Sequence, residues 1–397
     1  MTTLDRDALA WILGIPDSTN FVENYLGHSW YHAEVDRPDR FSDLLSIGDL
    51  DELLGRFGVR HPSIKLVRSG GTVPTDEYLW RDRMVDPARV ARLFSEGATV
   101  VFGSLHDRHE PARRLCDAVS RQVSARTQTN IYLTPPGSQG FQPHWDTHDV
   151  FVLQVEGLKR WRMYSGGPAL PLRDHKFDPR LHEAGTVESE FLLQSGDALY
   201  VPRGLMHAAE TADSVSIHVT LGVISYTWAD LLVDSLSELV DRVPSWRESV
   251  PFGFASGGDV DLGLEDELWR RLQTLADEID LRSVVQARAE NFVEHLRPRA
   301  TDYLQQVSNA DRLSVEDELL WRIGVPARLT LQSDRVILQS RDREVSFPAA
   351  AKETLECLLS GERVRGGEIR DSLDWTSRAV VLSALIREGW LSVHSEV

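Results

Sequence analysis

The sequence PHWDTHDVFVLQ places His144 and Asp146 one residue apart at the head of an apolar run, and a second histidine, His207, ends the stretch GDALYVPRGLMH 63 positions later. Alternate residues of a strand point the same way, so His144 and Asp146 are predicted to share one face while Trp145 points to the other. The intervening residues suffice for several strands before His207 returns to the pair. Two imidazoles and one carboxylate can occupy one face of an octahedral ferrous ion and leave three positions for a co-substrate and O2. One histidine among 13 is ordinarily a surface or satisfied core residue; the surroundings of these three set them apart.

Lys159 stands 15 positions after His144 in the strand-like LKRWRMY. A lysine on an apolar strand is usually a solvated edge charge. Beside a metal pocket it reads as the cation that holds the distal carboxylate of 2-oxoglutarate, whose keto oxygen and C1 carboxylate chelate iron. In GDALYVPRGLMH, Gly196 and Asp197 turn the chain, Leu199 to Val201 form a short strand, and Pro202 to Gly204 turn it again before His207. Turn, strand and turn before a histidine is a pattern of metal-binding double-stranded β-helices.

The stretch NIYLTPPGSQGFQPHWDTHDVFVLQVEGLKRWRMY, residues 130–164, resembles the jumonji-C ribosomal oxygenases, cupin-type 2-oxoglutarate hydroxylases, and the likeness resumes over 194–220 and extends weakly through WILGIPDSTNFVENYLGHSW. The resemblance implies an α+β chain: a jumonji-C double-stranded β-helix domain over 1–227 with its barrel at about 127–227, a helical dimerisation segment over 228–310, and a winged-helix domain over 311–397. It implies that His144, Asp146 and His207 bind Fe(II), that Lys159 binds the C5 carboxylate of 2-oxoglutarate, and that Asn130, Tyr132 and Thr220 line the pocket. The implied substrate is a histidine or arginine side chain of a ribosomal protein. Two departures stand out. Thr147, His148 and Asp149 follow the H-x-D where the family often has an acidic pair, and Gly222 stands where some relatives have serine. His148 reads equally as an exposed loop residue or as one that meets substrate.

A chain of 397 residues exceeds what one core usually supports. No window approaches 18 apolar residues, and MTTLDRDALAWIL lacks the basic start of a secretory signal, so the expected location is cytoplasmic and away from membranes. Only Cys116 and Cys357 are present, which argues against a disulfide framework and excludes a cysteine metal site. With 43 basic against 61 acidic residues, net charge -18, direct nucleic-acid binding is disfavoured and a basic protein or peptide partner is favoured, although many acidic proteins are so for solubility alone.

Short helices (SDLLSIGDLDELLGRFG, PARRLCDAVSRQVS) and strand pieces (SIKLVRSG, ATVVFG) fill the first 125 residues, followed by six β runs: IYLT, DVFVLQV, WRMY, EFLLQ, ALYV and VSIHVTLGVIS. Residues 165–190 form a long insertion and a candidate lid, its His175 and His182 expected at the surface. ADLLVDSLSELVDRV is a helix ending at Pro244. A second run from Gly263 to about Leu296 carries Leu264, Leu268, Leu272, Leu275 and Ile279 as an amphipathic stripe, which packs either on the barrel or in a homodimer. From about 311 the expected order is helix, strand, helix, helix, strand, with EIRDSLD as one of the helices. Basic and acidic residues there are nearly equal in number, so the segment reads as a scaffold or protein-recognition module.

Two further classes share these residues. A hydroxylase acting on a peptide natural product or free amino acid differs only in the substrate groove. A non-catalytic cupin-type regulatory protein has no use for Lys159. Demethylation runs through the same hydroxylation step, and the sequence leaves that outcome open.

Overall fold

The structure, a computed structural model, describes residues 3–56, 59–252, 262–296, 302–322, 325–340 and 343–394. The chain divides into two compact units, 1–226 and 227–397.

In the first unit the described strands are β1 (Tyr31–Ala33), β2 (Ile64–Arg68), β3 (Gly71–Thr72), β4 (Thr99–Phe102), β5 (Arg126–Thr134), β6 (Asp149–Glu156), β7 (Leu158–Tyr164), β8 (Val187–Gln194), β9 (Ala198–Val201), β10 (Met206–Thr211) and β11 (Ser216–Ile224). Eight of them form one sheet in the order β1-β9-β6-β11-β5-β4-β2-β3, and β10-β7-β8 form a smaller one. The six β runs of the sequence correspond to β5–β9 and β11. A strand the sequence did not suggest, β10, begins one residue before His207.

The large sheet is covered on both faces, which explains why β6 reads as an unbroken apolar run rather than an alternation. Phe151 and Leu153 join the core shared with Leu9, Ile12 and Phe21 of the N-terminal helices, while Val150 and Val152 pack with Trp161, Met163 and Leu193 of the small sheet. The N-terminal layer forms for local reasons. Ser46 and Asp49 make a reciprocal capping box on the helix Ile47–Gly55, and the helix Glu110–Val123 buries Leu115, Ala118 and Val119 on one face. In β7 burial alternates, so Lys159, Trp161 and Met163 point inward. Arg160 and Arg162 point outward into ion pairs with Glu190 and Glu210.

His144 and Asp146 are not on a strand: β6 begins three residues after Asp146, at Asp149. The pair lies in an extended entry segment, held by a bridge described below. In the connection between β7 and β8, His175 is exposed as expected, whereas His182 is half-buried and packs against Trp145 at 5.3 Å between ring centroids.

The second unit opens with the helix Trp228–Arg242, capped by a Thr227–Asp230 box. The expected run from Gly263 to Leu296 is two helices, Leu262–Glu278 and Leu281–His295, because Asp280 caps the second by accepting from the Ser283 amide. Leu264, Leu275 and Ile279 are half-buried, while Leu268 is 54% and Leu272 43% exposed. Within 228–310, residues 253–261 and 297–301 lie outside the described residues.

Farther on, β12 (Glu318–Trp321) is followed by the antiparallel meander β13 (Arg328–Gln332), β14 (Arg335–Ser340) and β15 (Arg343–Pro348). Then come the helix Lys352–Leu359, β16 (Val364–Arg365), the helix Trp375–Arg387 and β17 (Leu391–His394), with β12 paired between β16 and β17. Two expectations change here. The segment 326–348 is a three-stranded sheet, and EIRDSLD is turn rather than helix. Its Asp374 caps the next helix, and its Asp371 is paired with Arg378 at 2.6 Å, so these short acidic side chains bond backbone or partner in place of a helical turn. Cys116 and Cys357 are free. Among the described residues no helix is long and apolar enough to cross a membrane.

Phe151 is fully buried and touches both Phe21 and Tyr200. Phe151→Ala is expected to cost about 3–5 kcal/mol, read as a lower urea midpoint; an unchanged midpoint would show that the N-terminal layer does not depend on this face of β6.

Candidate metal and co-substrate site

Backbone pairing assembles the three candidate ligands. The His144 amide donates to the His207 carbonyl at 3.0 Å and the His207 amide returns the bond to His144 at 2.8 Å, so the two residues form a hydrogen-bonded antiparallel pair whose side chains stand on one side. Two residues on, the Asp146 carbonyl accepts from the Gly204 amide at 2.9 Å. Gly204 is required there. Its φ is +85°, and a Cβ would lie 2.1 Å from the Pro168 carbonyl oxygen.

Ligand atoms of His144, Asp146 and His207 all lie within 4.8 Å of one another. Each imidazole is oriented by its own chain: Nδ1 of His144 is 2.9 Å from the Gln142 carbonyl and Nδ1 of His207 is 2.9 Å from the Leu205 carbonyl. A carbonyl only accepts, so both Nδ1 atoms carry the proton and both Nε2 lone pairs are free to ligate. Burial, and then the neighbouring His144, hold His207 below the ordinary imidazole range, which keeps it neutral as a ligand must be. The donor set therefore fits a divalent first-row ion of the ferrous kind, with one face protein-bound and the other open. Trp145 points away, as expected, against Phe177 and His182.

Lys159 is buried in the same cavity, 5% exposed. Its ammonium donates to Thr134 Oγ1 at 3.2 Å and to His218 Nδ1 at 3.1 Å. Among the described residues no carboxylate pairs with it, and burial lowers its pKa to about 7. An ammonium has no acceptor, so His218 Nδ1 must accept and Nε2 carries the ring proton; burial and then Lys159 push His218 well below the usual range. Tyr132 stacks on His218 at 4.8 Å and 8°, and burial raises its phenol, so it stays an O–H donor.

Of the residues expected around the pocket, Tyr132 and Thr220 line it. Asn130 is not among the lining residues; its carboxamide oxygen accepts from the Ser104 amide at 3.1 Å. Thr134, His218, Trp161 and Phe141 also line the cavity and were missed by sequence reasoning. A signal was present for two of them. In SIHVTLG, period two from Thr220 leads to His218, and in NIYLT the same step from Tyr132 leads to Thr134. The third lining residue, Trp161, stacks on His207 at 5.8 Å with its indole N–H buried and unbonded, and is the next inward position after Lys159.

The profile of the JmjC domain matches residues 105–231. This segment, about a third of the chain, is where the likeness to JmjC domains lies. The chain is 35% identical over 206 residues to ribosomal oxygenase 2 of Rattus norvegicus, a match covering 48% of this chain and 44% of the rat protein. With the bifunctional lysine-specific demethylase and histidyl-hydroxylase NO66 of Dictyostelium discoideum it shares 28% over 384 residues, covering 87% and 73%. The chain thus spans about half the length of the rat relative. The structure of YcfD, a ribosomal oxygenase from Escherichia coli solved with cobalt and 2-oxoglutarate, superposes with TM-score 0.51 at 17% identity over 95% of this chain and 98% of that one, a likeness of fold. The JmjC match encloses all three candidate ligands and Lys159.

Asp146→Ala removes one of three donors from a segment tied by backbone bonds, so Fe(II) or Co(II) binding measured by calorimetry is expected to fall at least about 10-fold while the circular dichroism spectrum is kept. Wild-type metal affinity in this variant would remove Asp146 from the ligand set.

Proposed function

We propose that the chain is an Fe(II)- and 2-oxoglutarate-dependent oxygenase that hydroxylates a side chain of a basic ribosomal protein. The observation that carries this reading is Lys159: a buried ammonium without a counter-charge among the described residues, in one cavity with an oriented His-Asp-His set. A structural metal site has no need of such a cation, whereas a dicarboxylate co-substrate supplies the missing charge. When bound, iron and 2-oxoglutarate provide the oxidising chemistry, in which O2 is split as 2-oxoglutarate becomes succinate and CO2 and one oxygen atom enters a C–H bond of the substrate.

The chain's own residues do the rest. His144, Asp146 and His207 would hold the metal, with the Gln142 and Leu205 carbonyls fixing the two rings. Lys159 would hold the C5 carboxylate of 2-oxoglutarate, while Thr134 and His218 aim its ammonium. Val150, Val152, Phe141 and Trp161 give the cavity apolar walls, which limit water and strengthen the charge interaction. Asp146 is the one carboxylate among the described residues lining the cavity and is committed to metal. A guanidinium would enter without a counter-charge, so histidine is favoured over arginine as the target, in keeping with the name of the NO66 relative.

Residues 1–227 would form the oxygenase domain, 228–310 a helical dimerisation segment and 311–397 a winged-helix domain serving as a protein-recognition scaffold, in a cytoplasmic homodimer that does not bind nucleic acid directly. Exposed Leu268 and Leu272, together with Trp269 at 59% exposure, support the dimer surface. At roughly 1.5–3 kcal/mol per buried leucine, covering them is favourable. Net charge -18 supports a basic partner.

Two measurements test this reading. 2-Oxoglutarate binding needs Lys159 charged. The free site titrates near pH 7 and a bound carboxylate raises that value, so binding takes up a proton above pH 7. Affinity should therefore weaken as pH rises, up to about tenfold per unit. Lys159→Ala should abolish that slope and weaken binding more than about a hundredfold, the equivalent of roughly 3–5 kcal/mol; a variant with the wild-type Michaelis constant contradicts the role. For the assembly, light scattering is expected to give twice the 44.8 kDa chain mass, and Leu268→Asp with Leu272→Asp to give monomer. A monomeric wild type removes the dimer, and a dimer that survives both changes moves the contact elsewhere.

A further inference from the structure

His148 and Gly222, far apart in the sequence, meet in space. His218, Thr220 and Gly222 are successive same-face positions of β11, opposite Tyr132, Asn130 and Gln128 of β5, and the first two line the cavity. At about 3.4 Å per residue, Gly222 lies roughly 14 Å along the strand from His218, beyond Thr220 from the Lys159 end. Gly222 does not have a positive φ, so its backbone does not require glycine, and a glycine inside a strand without that need marks a close approach. The group that approaches is His148: a Cβ on Gly222 would stand 2.6 Å from its Cδ2 and 2.7 Å from its Nε2. The imidazole thus occupies the volume a side chain at 222 would take. It is half-exposed and two residues from Asp146.

We propose that His148 is the specificity-determining residue of this site, hydrogen-bonding the incoming substrate side chain, and that position 222 is glycine to seat its ring; this rests on the hydroxylase reading above. Co-substrate enters from one end of the inward row, anchored at Lys159, and substrate from the other, where His148 offers a ring nitrogen. The ring contributes geometry, because a target C–H held off line wastes 2-oxoglutarate turnover.

The probe is the ribosomal protein fraction of cells lacking this gene, incubated with the full-length chain, Fe(II), 2-oxoglutarate and O2. Hydroxylated product is read as one added oxygen by intact mass, and succinate is measured in the same reaction. His148→Ala and Gly222→Ala are each expected to lower product formed per succinate on the order of tenfold, the scale of one lost hydrogen bond. The double variant should lose no more, since both act through one ring, and His148→Gln, which keeps a nitrogen near Nε2, should recover much of the loss. Wild-type coupling in His148→Ala overturns the inference while leaving the oxygenase reading in place. A wild-type chain that forms no succinate overturns the oxygenase reading and this one with it. Should Gly222→Ala fail to fold by thermal melt, the His148→Ala and His148→Gln pair carries the decision alone.

Discussion

The reciprocal backbone pair between His144 and His207 is the constraint on which the site depends. It joins segments 63 positions apart by two hydrogen bonds of 3.0 and 2.8 Å, and because paired antiparallel residues share a side, it aligns two imidazoles without help from their own side chains. The side-chain bonds to Gln142 and Leu205 then need to set only ring rotation and tautomer. Asp146 is positioned by the same logic one step farther, through the Gly204 amide. A metal would find the donors already arranged, with little ordering entropy left to overcome.

Electrostatics divides the cavity into two ends with different requirements. At the metal end burial acts on histidine, where it favours the neutral ring that ligation needs. Burial at the other end acts on Lys159 and opposes its charge, and the acceptors its ammonium has among the described residues, Thr134 and His218, are neutral. A carboxylate in their place would stabilise the lysine more strongly and, on the proposed reading, compete with the co-substrate. The half-satisfied cation is destabilising for the fold, and on the proposed reading it is useful for binding, as expected where a local rule is broken at a functional position.

Much of this was legible in the sequence, and the exceptions have physical causes. Period-two spacing identified most of the strands, because alternation is imposed by the pleat itself. It misplaced His144 and Asp146 on a strand, since an extended segment with a single bridge has the same local geometry as a strand and differs only in its pairing partner, which no local pattern encodes. β10 was overlooked because MHAAET has one strong β former and takes its form from pairing with β7. In the C-terminal region, EIRDSLD has helical composition, but Asp371 and Asp374 are consumed by an ion pair and a cap. His218 was missed for another reason: a histidine inside an apolar strand is usually read as filler, and its partner Lys159 lies 59 residues away.

The connection between β7 and β8 shows why residues far from the metal belong to the same mechanical unit. Phe177 meets both His144 and Trp145, and His182 stacks on Phe177 while packing edge-on against Trp145, so the outer side of the H-x-D segment is walled by a loop rather than by a strand. That loop is joined to the turn before His207 by mutual close approach: Gly204 leaves no room for a Cβ against Pro168, and Gly167 leaves none against the Gly204 carbonyl. H-x-D segment, turn and loop therefore form one packed body in which neither glycine can gain a methyl group without moving backbone. Displacement of about 1 Å is enough to cost large factors in rate when a reacting bond must be held in line. The two glycines, neither of which lines the cavity, thus constrain the H-x-D segment together with the hydrogen bonds that orient the rings.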